Sequence, residues 1–504
     1  MPPVLNYPGV YIEELQSAVH TITGVATSIA AFVGWAPQGS TTAPVLVQSF
    51  SDYQRGFGGT NGLDSRSYLG YAVNQFFANG GQQAYIVRLV WTDAATATAA
   101  NVGGTLTLWA SSPGQWANGI QIAITVPSSG VFNIQVLDAS NNQLENFLNL
   151  TVNSAVPVID NDSQYITFIN PATGNPPGSI SMPSAATGTL AGGVDGTVLQ
   201  PKDGVNGNGN FETALNASGS GTGVHLLDQV PIFNLLCVPG EADESTISSL
   251  ESYCNTKRAF YIVDAPQTAT VTNLGSGPIG AAGHGLSGNS SDHAAYYFPW
   301  IQAPDPLASN RPRMFPPSGS IAGIYAYTDA NRGVWKAPAG IDAALSGVSG
   351  LQYVLTDLQN GTLNVNAVNC LRQFQVYGDV VWGARTLQGS DQVGSQWKYV
   401  PIRRLALYLE SSLYDGTQWV VFEPNDETLW GQIRLNVGSF MQGLFLQGAF
   451  QGTTPQQAYF VKCDAENNPQ SSIDQGVVNI LVGFAPLYPA EFVVIQIQQM
   501  AGQT

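Results

Sequence analysis

Apolar positions change their spacing along the chain, and the changes divide it. Val45 to Val47 is a short apolar run, Tyr68 to Phe77 sets Leu69, Ala72, Val73, Phe76 and Phe77 at helical spacing, and Ala84 to Val90 is apolar again. Gly80-Gly81 stops the helix. The order repeats further on: an apolar run from Ile232 to Val238, a break at Pro239-Gly240, a helix with Ile247, Leu250 and Tyr253 or Cys254 on one face, then Phe260 to Val263. Uninterrupted apolar strands joined by helices predict a parallel sheet covered on both faces, so both pieces are assigned to one α/β domain.

Between them the period falls to two. Leu106 and Leu108, then Ile120, Ile122, Ile124 and Val126, then Phe132, Ile134 and Val136 predict a β-meander broken by Gly, Pro, Ser and Asn turns. The Gly/Asn-rich segment Gly192 to Gly223 reads as a long loop returning to the α/β domain. In the last third, Val400 to Ser412 suits a helix burying Ile402, Leu405, Ala406, Leu409 and Leu413. Pro424-Asn425-Asp426-Glu427 begins another, with Asn425 expected to accept from first-turn amides, and Leu429, Ile433, Val437, Phe440, Met441 and Leu444 follow at spacings of three and four. Strands are expected over Ala458 to Cys463, Val477 to Phe484 and Phe492 to Gln498. The last of these, and the β-prone Val10 to Leu15 behind Pro8-Gly9, are terminal strands with open edges. Each must pair with its own chain or add to a neighbour's sheet.

Composition narrows the function classes. The 504 residues carry 17 Lys and Arg against 34 Asp and Glu, a net of −17 with 10% charged side chains, where a globular domain has roughly 25%. So few cations exclude a large basic footprint for nucleic acid, and 44% hydrophobic residues supply cores for about three domains. Residues 89–256 hold one basic residue, Lys202, against 13 acids, a shift that marks a boundary near Val90 to Ala94. Cys237, Cys254, Cys370 and Cys463 have no metal-ligand spacing and are expected to be inert. The N-terminus lacks a signal-peptide pattern, and the most hydrophobic segment, Val477 to Ile497, is broken by Pro486, Pro489 and Glu491, so a soluble protein made in the cytoplasm is expected.

Catalytic motifs are weak. Gly275-Ser276-Gly277-Pro278-Ile279-Gly280 matches a dinucleotide pattern by letter, but Pro278 with Gly283, Gly285 and Gly288 forbids the helix that would hold a pyrophosphate. No phosphate loop, His-Glu-x-x-His, EF-hand or Gly-x-Ser-x-Gly is present. Of the four histidines, His20, His225, His284 and His293, the last two stand in a Gly/Ser-rich segment near Ser291 and Asp292, which reads as a solvated loop. Neither catalysis nor a cofactor or metal is expected.

Ordered motifs over almost the whole chain resemble the tail sheath proteins of contractile bacteriophage tails and related contractile injection particles. Tyr7-Pro-Gly-Val-Tyr-Ile-Glu-Glu14 is similar to that family's N-terminal arm, and Ser51-Asp-Tyr-Gln54 to the turn after it. Ser112-Pro-Gly-Gln-Trp-Ala-Asn-Gly119 and Leu190-Ala-Gly-Gly-Val-Asp-Gly196 resemble its inserted domain. Tyr297-Phe-Pro-Trp300, Pro316-Pro-Ser-Gly319 and Gly333-Val-Trp-Lys-Ala-Pro338 resemble its middle domain. Gly378-Asp-Val-Val-Trp-Gly-Ala-Arg-Thr386, Arg403-Arg404, Val461-Lys-Cys-Asp464 and Pro489-Ala-Glu-Phe-Val493 resemble its C-terminal part; departures lie mainly in the acidic insert and its Gly/Asn segment.

The resemblance implies a mixed α+β and α/β multidomain fold. It comprises an N-terminal arm over 1–20, a discontinuous subtilisin-like α/β middle domain over 21–93 and 205–345, a β-rich inserted domain over 94–204, an α/β sheath core domain over 346–487 and a C-terminal arm over 488–504. It implies a structural subunit that stacks as hexameric rings around an inner tube in a metastable extended state and contracts to drive that tube through a target envelope. The arm strands Val10, Tyr11, Ile12, Glu13, Glu14 and Leu15, and Phe492, Val493, Val494, Ile495, Gln496, Ile497 and Gln498, are expected to pair with neighbouring subunits. Asp426, Glu427, Gln432 and Arg434 are candidates for the tube-facing helix. Implied partners are the chain itself, the inner tail tube protein, and baseplate and tail terminator or cap proteins, without nucleic acid or membrane insertion. The expected location is a virion tail or injection particle assembled in the bacterial cytoplasm, with most of the acidity on the outer surface. A static shell protein and a subtilisin-like hydrolase are the alternatives.

Overall fold

Six apolar runs become the parallel strands of one sheet in the computed structural model, which describes residues 20–58, 62–217, 219, 221–275 and 290–496. In spatial order they are Ala84–Leu89, Ala30–Trp35, Leu235–Cys237, Phe260–Asp264, Ala294–Phe298 and Val368–Phe374. Antiparallel edge strands, Val45–Val47 and Gly378–Val381, close the two ends. The central register sets Ala30 beside both Ala84 and Leu235. Ala30–Trp35 and Ala294–Phe298 are buried along their whole length. Such strands show no alternation, so nothing in their pattern had separated them from any other buried segment.

Both faces of the sheet are covered. Ala31, Val33 and Trp35 point into the core that receives Ile247, Leu250 and Cys254 from the helix Glu244–Lys257. Phe32 points the other way and meets Phe76 of the helix Leu69–Ala78, ring centroids 5.4 Å apart. That helix crosses Ser318–Arg332 at very short range: a Cβ on Gly319 would stand 2.3 Å from the Ala72 carbonyl oxygen, and one on Gly323 2.6 Å from that of Phe76. Only glycine permits this crossing.

The sheet runs past the expected limit at residue 346, because Val368–Phe374 pairs in parallel with Ala294–Phe298. The chain divides instead into a larger unit, Thr27–Arg332 with Lys336–Arg403, and a smaller one, Met1–Ala26 with Gly333–Trp335 and Arg404–Thr504. The helix Val400–Gly416 begins in the first and continues in the second.

Within the larger unit the β-rich stretch forms two sheets rather than a single meander. Gln121–Ser128, Val131–Leu137 and Gln143–Leu150 are consecutive antiparallel strands joined at one edge by Ala186–Thr189, whereas Leu106–Ala110 pairs with Thr98–Val102 and Ile166–Thr167. Their shared core contains Leu106, Leu108, Ile122, Ile124, Phe132, Ile134 and Val136, the residues marked by period two.

The insert is held at its base. Arg88, fully buried, donates to the carbonyl oxygens of Ala36, Pro37, Gly39 and Pro113 at 2.6–2.9 Å. Arg66 reaches Asp195 at 3.2 Å, and Asp195 accepts from the Gln115 amide at 2.8 Å. Where chain leaves and returns, the Asp93 carboxylate accepts from the Thr197 amide and hydroxyl at 2.8 and 2.7 Å.

The segment expected as a long loop is packed instead. Leu199, Asp203, Phe211 and Leu215 are buried, and Asn210–Leu215 is helical. Its Asn and Gly residues serve local turns: Asp203 accepts from the Val205 and Asn206 amides and from the Tyr68 hydroxyl. The acidity of residues 89–256 is accordingly not all exposed. Asp195, Asp203, Glu212, Glu241 and Glu251 are all buried, and only six of the 13 acids fall within residues 94–204.

In the smaller unit, Leu405 and Leu409 pack with Leu429, Ile433, Val437, Met441 and Leu444 of the helix Glu427–Leu446. The hairpin Tyr459–Lys462 and Leu481–Phe484 covers them.

Candidate assembly surfaces

The terminal strands are the first candidates. Val10 to Leu15, Ile497 and Gln498 lie outside the described residues. Beyond the last bridge, Phe450 with Pro486, residues 487–496 join no ladder among the described residues. Phe492, Val493, Val494 and Ile495 are 74%, 81%, 80% and 79% exposed, and Gln496 is exposed beside them. The expected strand is therefore absent from the single chain among the described residues, and four adjacent large apolar side chains face solvent.

The candidate tube-facing residues stand at one helix start, and most are engaged within the chain. Asp426, not Asn425, is the N-cap and accepts from the Leu429 amide at 3.0 Å. Asn425 accepts from the Trp430 indole at 2.9 Å and donates to the Val477 carbonyl at 3.0 Å, tying the helix start to the chain before the hairpin. Glu427 pairs with Arg434 at 2.5 Å, and Arg434 also donates to the Cys463 carbonyl. Gln432 is half-buried. The outward face of this helix is formed instead by Thr428, Leu435, Ser439 and Leu446, a pattern of 7, 4 and 7 residues that the search for polar contacts passed over.

The sequence constellation nearest to catalysis is a closed structural cluster. Ser291, Asp292 and His293 are buried in a short 3₁₀ turn leading into Ala294–Phe298, not in a solvated loop; His284 lies outside the described residues. His293 Nδ1 is 2.8 Å from the Asp292 carboxylate, and Nε2 is 2.7 Å from the Arg403 guanidinium. A guanidinium can only donate, so Nε2 accepts and Nδ1 carries the proton given to Asp292. No lone pair remains to activate a hydroxyl. Arg403 also lies 4.7 Å over the Trp397 ring, and burial followed by the Asp292 charge pushes the neighbouring Glu251 carboxyl up to about 8. Gly275 closes the helix Val271–Leu274, and the rest of the Gly-x-Gly-x-x-Gly stretch lies outside the described residues. Among the described residues no group of three His, Cys, Asp or Glu could hold a metal ion, and no helix is long and apolar enough to cross a membrane. All four cysteines are free and buried, with burial raising each thiol pKa; that of Cys370 is pushed up to about 12.

The fold is a mixed α/β multidomain one, with exposed apolar side chains at residues 492–495 and a closed polar cluster at residues 291–293. Residues 231–387 match the phage tail sheath protein central domain and residues 392–500 the phage tail sheath C-terminal domain, together more than half of the chain. The chain belongs to the phage tail sheath proteins, a structural family and not an enzyme family. A putative prophage major tail sheath protein of Pseudomonas aeruginosa is 27% identical over 301 residues, 55% of this chain and 69% of that one. The tail sheath protein of Burkholderia phage BcepMu is 27% identical over 290 residues, 55% of this chain and 58% of that one. Among solved structures, the sheath complex of the extracellular contractile injection system PVC in its contracted state matches with a TM-score of 0.60 at 24% identity, over 99% of this chain and 98% of that one.

Proposed function

We propose that the chain polymerises with its own copies as stacked hexameric rings around an inner tube, in an extended metastable state. Contraction after a baseplate signal then drives the tube through a target envelope. The observation that carries this reading, in a chain of the sheath family, is the run of exposed apolar side chains at residues 492–495. Burying one such side chain is worth about 1.5–3 kcal/mol, so four exposed in succession favour association strongly. Main-chain hydrogen bonding of an added strand tolerates side-chain repacking, and this lets subunits move without separating. The work of contraction comes from a better-packed lateral arrangement, with no nucleotide required.

In this reading residues 1–20 and 488–504 are the arms, and residues 94–204 decorate the outside. The core sheath domain starts near residue 404 rather than 346, in line with the division of the chain into its two compact units. The helix Glu427–Leu446 faces the tube, through Leu435, Ser439 and Leu446 more than through the internally paired Glu427 and Arg434. The inner tube, baseplate and terminator or cap proteins are the partners, and the particle is a phage tail or contractile injection device. Negative-stain microscopy of the purified chain tests it. Tubules or rings are expected, and removal of residues 492–504 should leave a folded, non-polymerising subunit. A full-length chain that stays monomeric under all assembly conditions would refute the reading, and polymers that never shorten would favour a static shell.

A further inference from the structure

The smaller unit holds a cavity of about 310 Å³ bounded by residues 21–24, the helix Val400–Gly416 and the helix Glu427–Leu446. Its walls combine Ile22, Phe440 and Leu444 with Tyr408, Ser439 and Asn436, and include no charged side chain. Asn436 is only 3% exposed, and neither its amide nitrogen nor its carbonyl oxygen has a partner among the described residues. A buried carboxamide with both functions open carries a desolvation cost that calls for a ligand. Such a group offers one acceptor beside two donors, which matches a peptide unit or another carboxamide. The uncharged lining disfavours phosphates, carboxylates and cations.

The geometry points to this cavity as the receptor for the exposed 492–496 stretch of a second copy of this chain, with Asn436 hydrogen-bonded to an amide of that stretch and an apolar side chain beside Phe440 and Leu444. The assignment rests on the polymer reading above and gives it a specific anchor. Cavity and stretch match in kind. Phe492, Val493, Val494, Ile495 and Gln496 are uncharged, apolar apart from one carboxamide, and exposed in their own subunit, so they are available to another. Strand addition alone would tolerate a shift of two residues. A side chain seated in a cavity, with its neighbouring amide paired, fixes the register.

The test uses the purified full-length chain without tube, with polymer measured by sedimentation over a concentration series. Asn436→Leu removes the open amide, and Ser439→Trp obstructs the cavity from an exposed position. Both are expected to raise the critical concentration about tenfold or more while the subunit melts no lower than wild type. Val494→Ala and Ile495→Ala are then made alone and with Asn436→Leu. At least one of them is expected to weaken assembly in the wild-type background and to lose most of that effect beside Asn436→Leu. Wild-type assembly by both cavity variants would overturn the proposal, as would strict additivity at both stretch positions, which would assign the cavity another occupant. A wild-type chain that never polymerises would instead refute the sheath reading, so the two failures are distinguishable.

Discussion

Glu241, fully buried just after the strand Leu235–Cys237, accepts from the Asp243 amide at 2.6 Å through Oε1, while Oε2 has no partner among the described residues. Burial, opposed by that amide and reinforced by the Glu212 carboxylate, raises its carboxyl to about 9 from an ordinary 4.5. The folded state therefore keeps a proton that the unfolded chain releases. This contribution is complete below about 4.5 and is lost as pH rises towards 9. Glu241→Gln is expected to stabilise the chain at pH 9 by on the order of 1–3 kcal/mol and to change little at pH 5, as read from melting curves across pH. Arg88 is the opposite case, a buried cation facing four carbonyl oxygens, and burial lowers its pKa to about 10. Arg88→Met should cost on the order of 3 kcal/mol in urea unfolding, because those carbonyls lose their donor. Neither residue carried a sequence signal. An isolated Arg in an apolar strand and an acid after a Pro-Gly turn look like surface residues until the chain is folded around them.

Element by element, the C-terminal helices were legible because Leu429, Ile433, Val437, Met441 and Leu444 keep one face through about four turns. The start was misplaced by one residue, since Asn and Asp cap equally well and stand side by side; Asp426 caps, and Asn425 binds Trp430. Asp426→Ala should therefore cost about 1 kcal/mol in chemical denaturation. Breaking the exposed Glu427–Arg434 pair by Glu427→Gln should cost under about 1 kcal/mol. The parallel strands were legible only where a helix with clear spacing stood next to them in the chain. Ala30–Trp35, central to the sheet, is buried on both sides and follows no helix of its own, so its pattern held nothing to count. The 291–293 turn was read as solvated because its partner, Arg403, lies 110 residues further along the chain.

For the whole molecule, the family was legible from ordered short motifs, whereas the distribution of acid was not. Charge counted along the chain cannot tell exposed Asp162 from buried Asp203. The insert does leave and return through adjacent positions joined by the Asp93 and Thr197 hydrogen bonds. Replacing residues 94–196 with a short Gly/Ser linker is accordingly expected to leave a folded chain that still forms polymers of reduced outer diameter by electron microscopy. Loss of the fold would mean that the contacts of Arg88 with Pro113 and of Arg66 with Asp195 sustain the sheet as well as the insert.

The burial of Cys237, Cys254, Cys370 and Cys463 has a practical consequence. Thiol reagents attack the thiolate, and groups held this far from ionisation and from solvent should stay unmodified at neutral pH. One cysteine introduced at an exposed position such as Leu148 would then be the single reactive thiol of each subunit. A polymer of this chain could thus carry one fluorophore, gold particle or enzyme per subunit, at a chosen point, without any native residue being removed first.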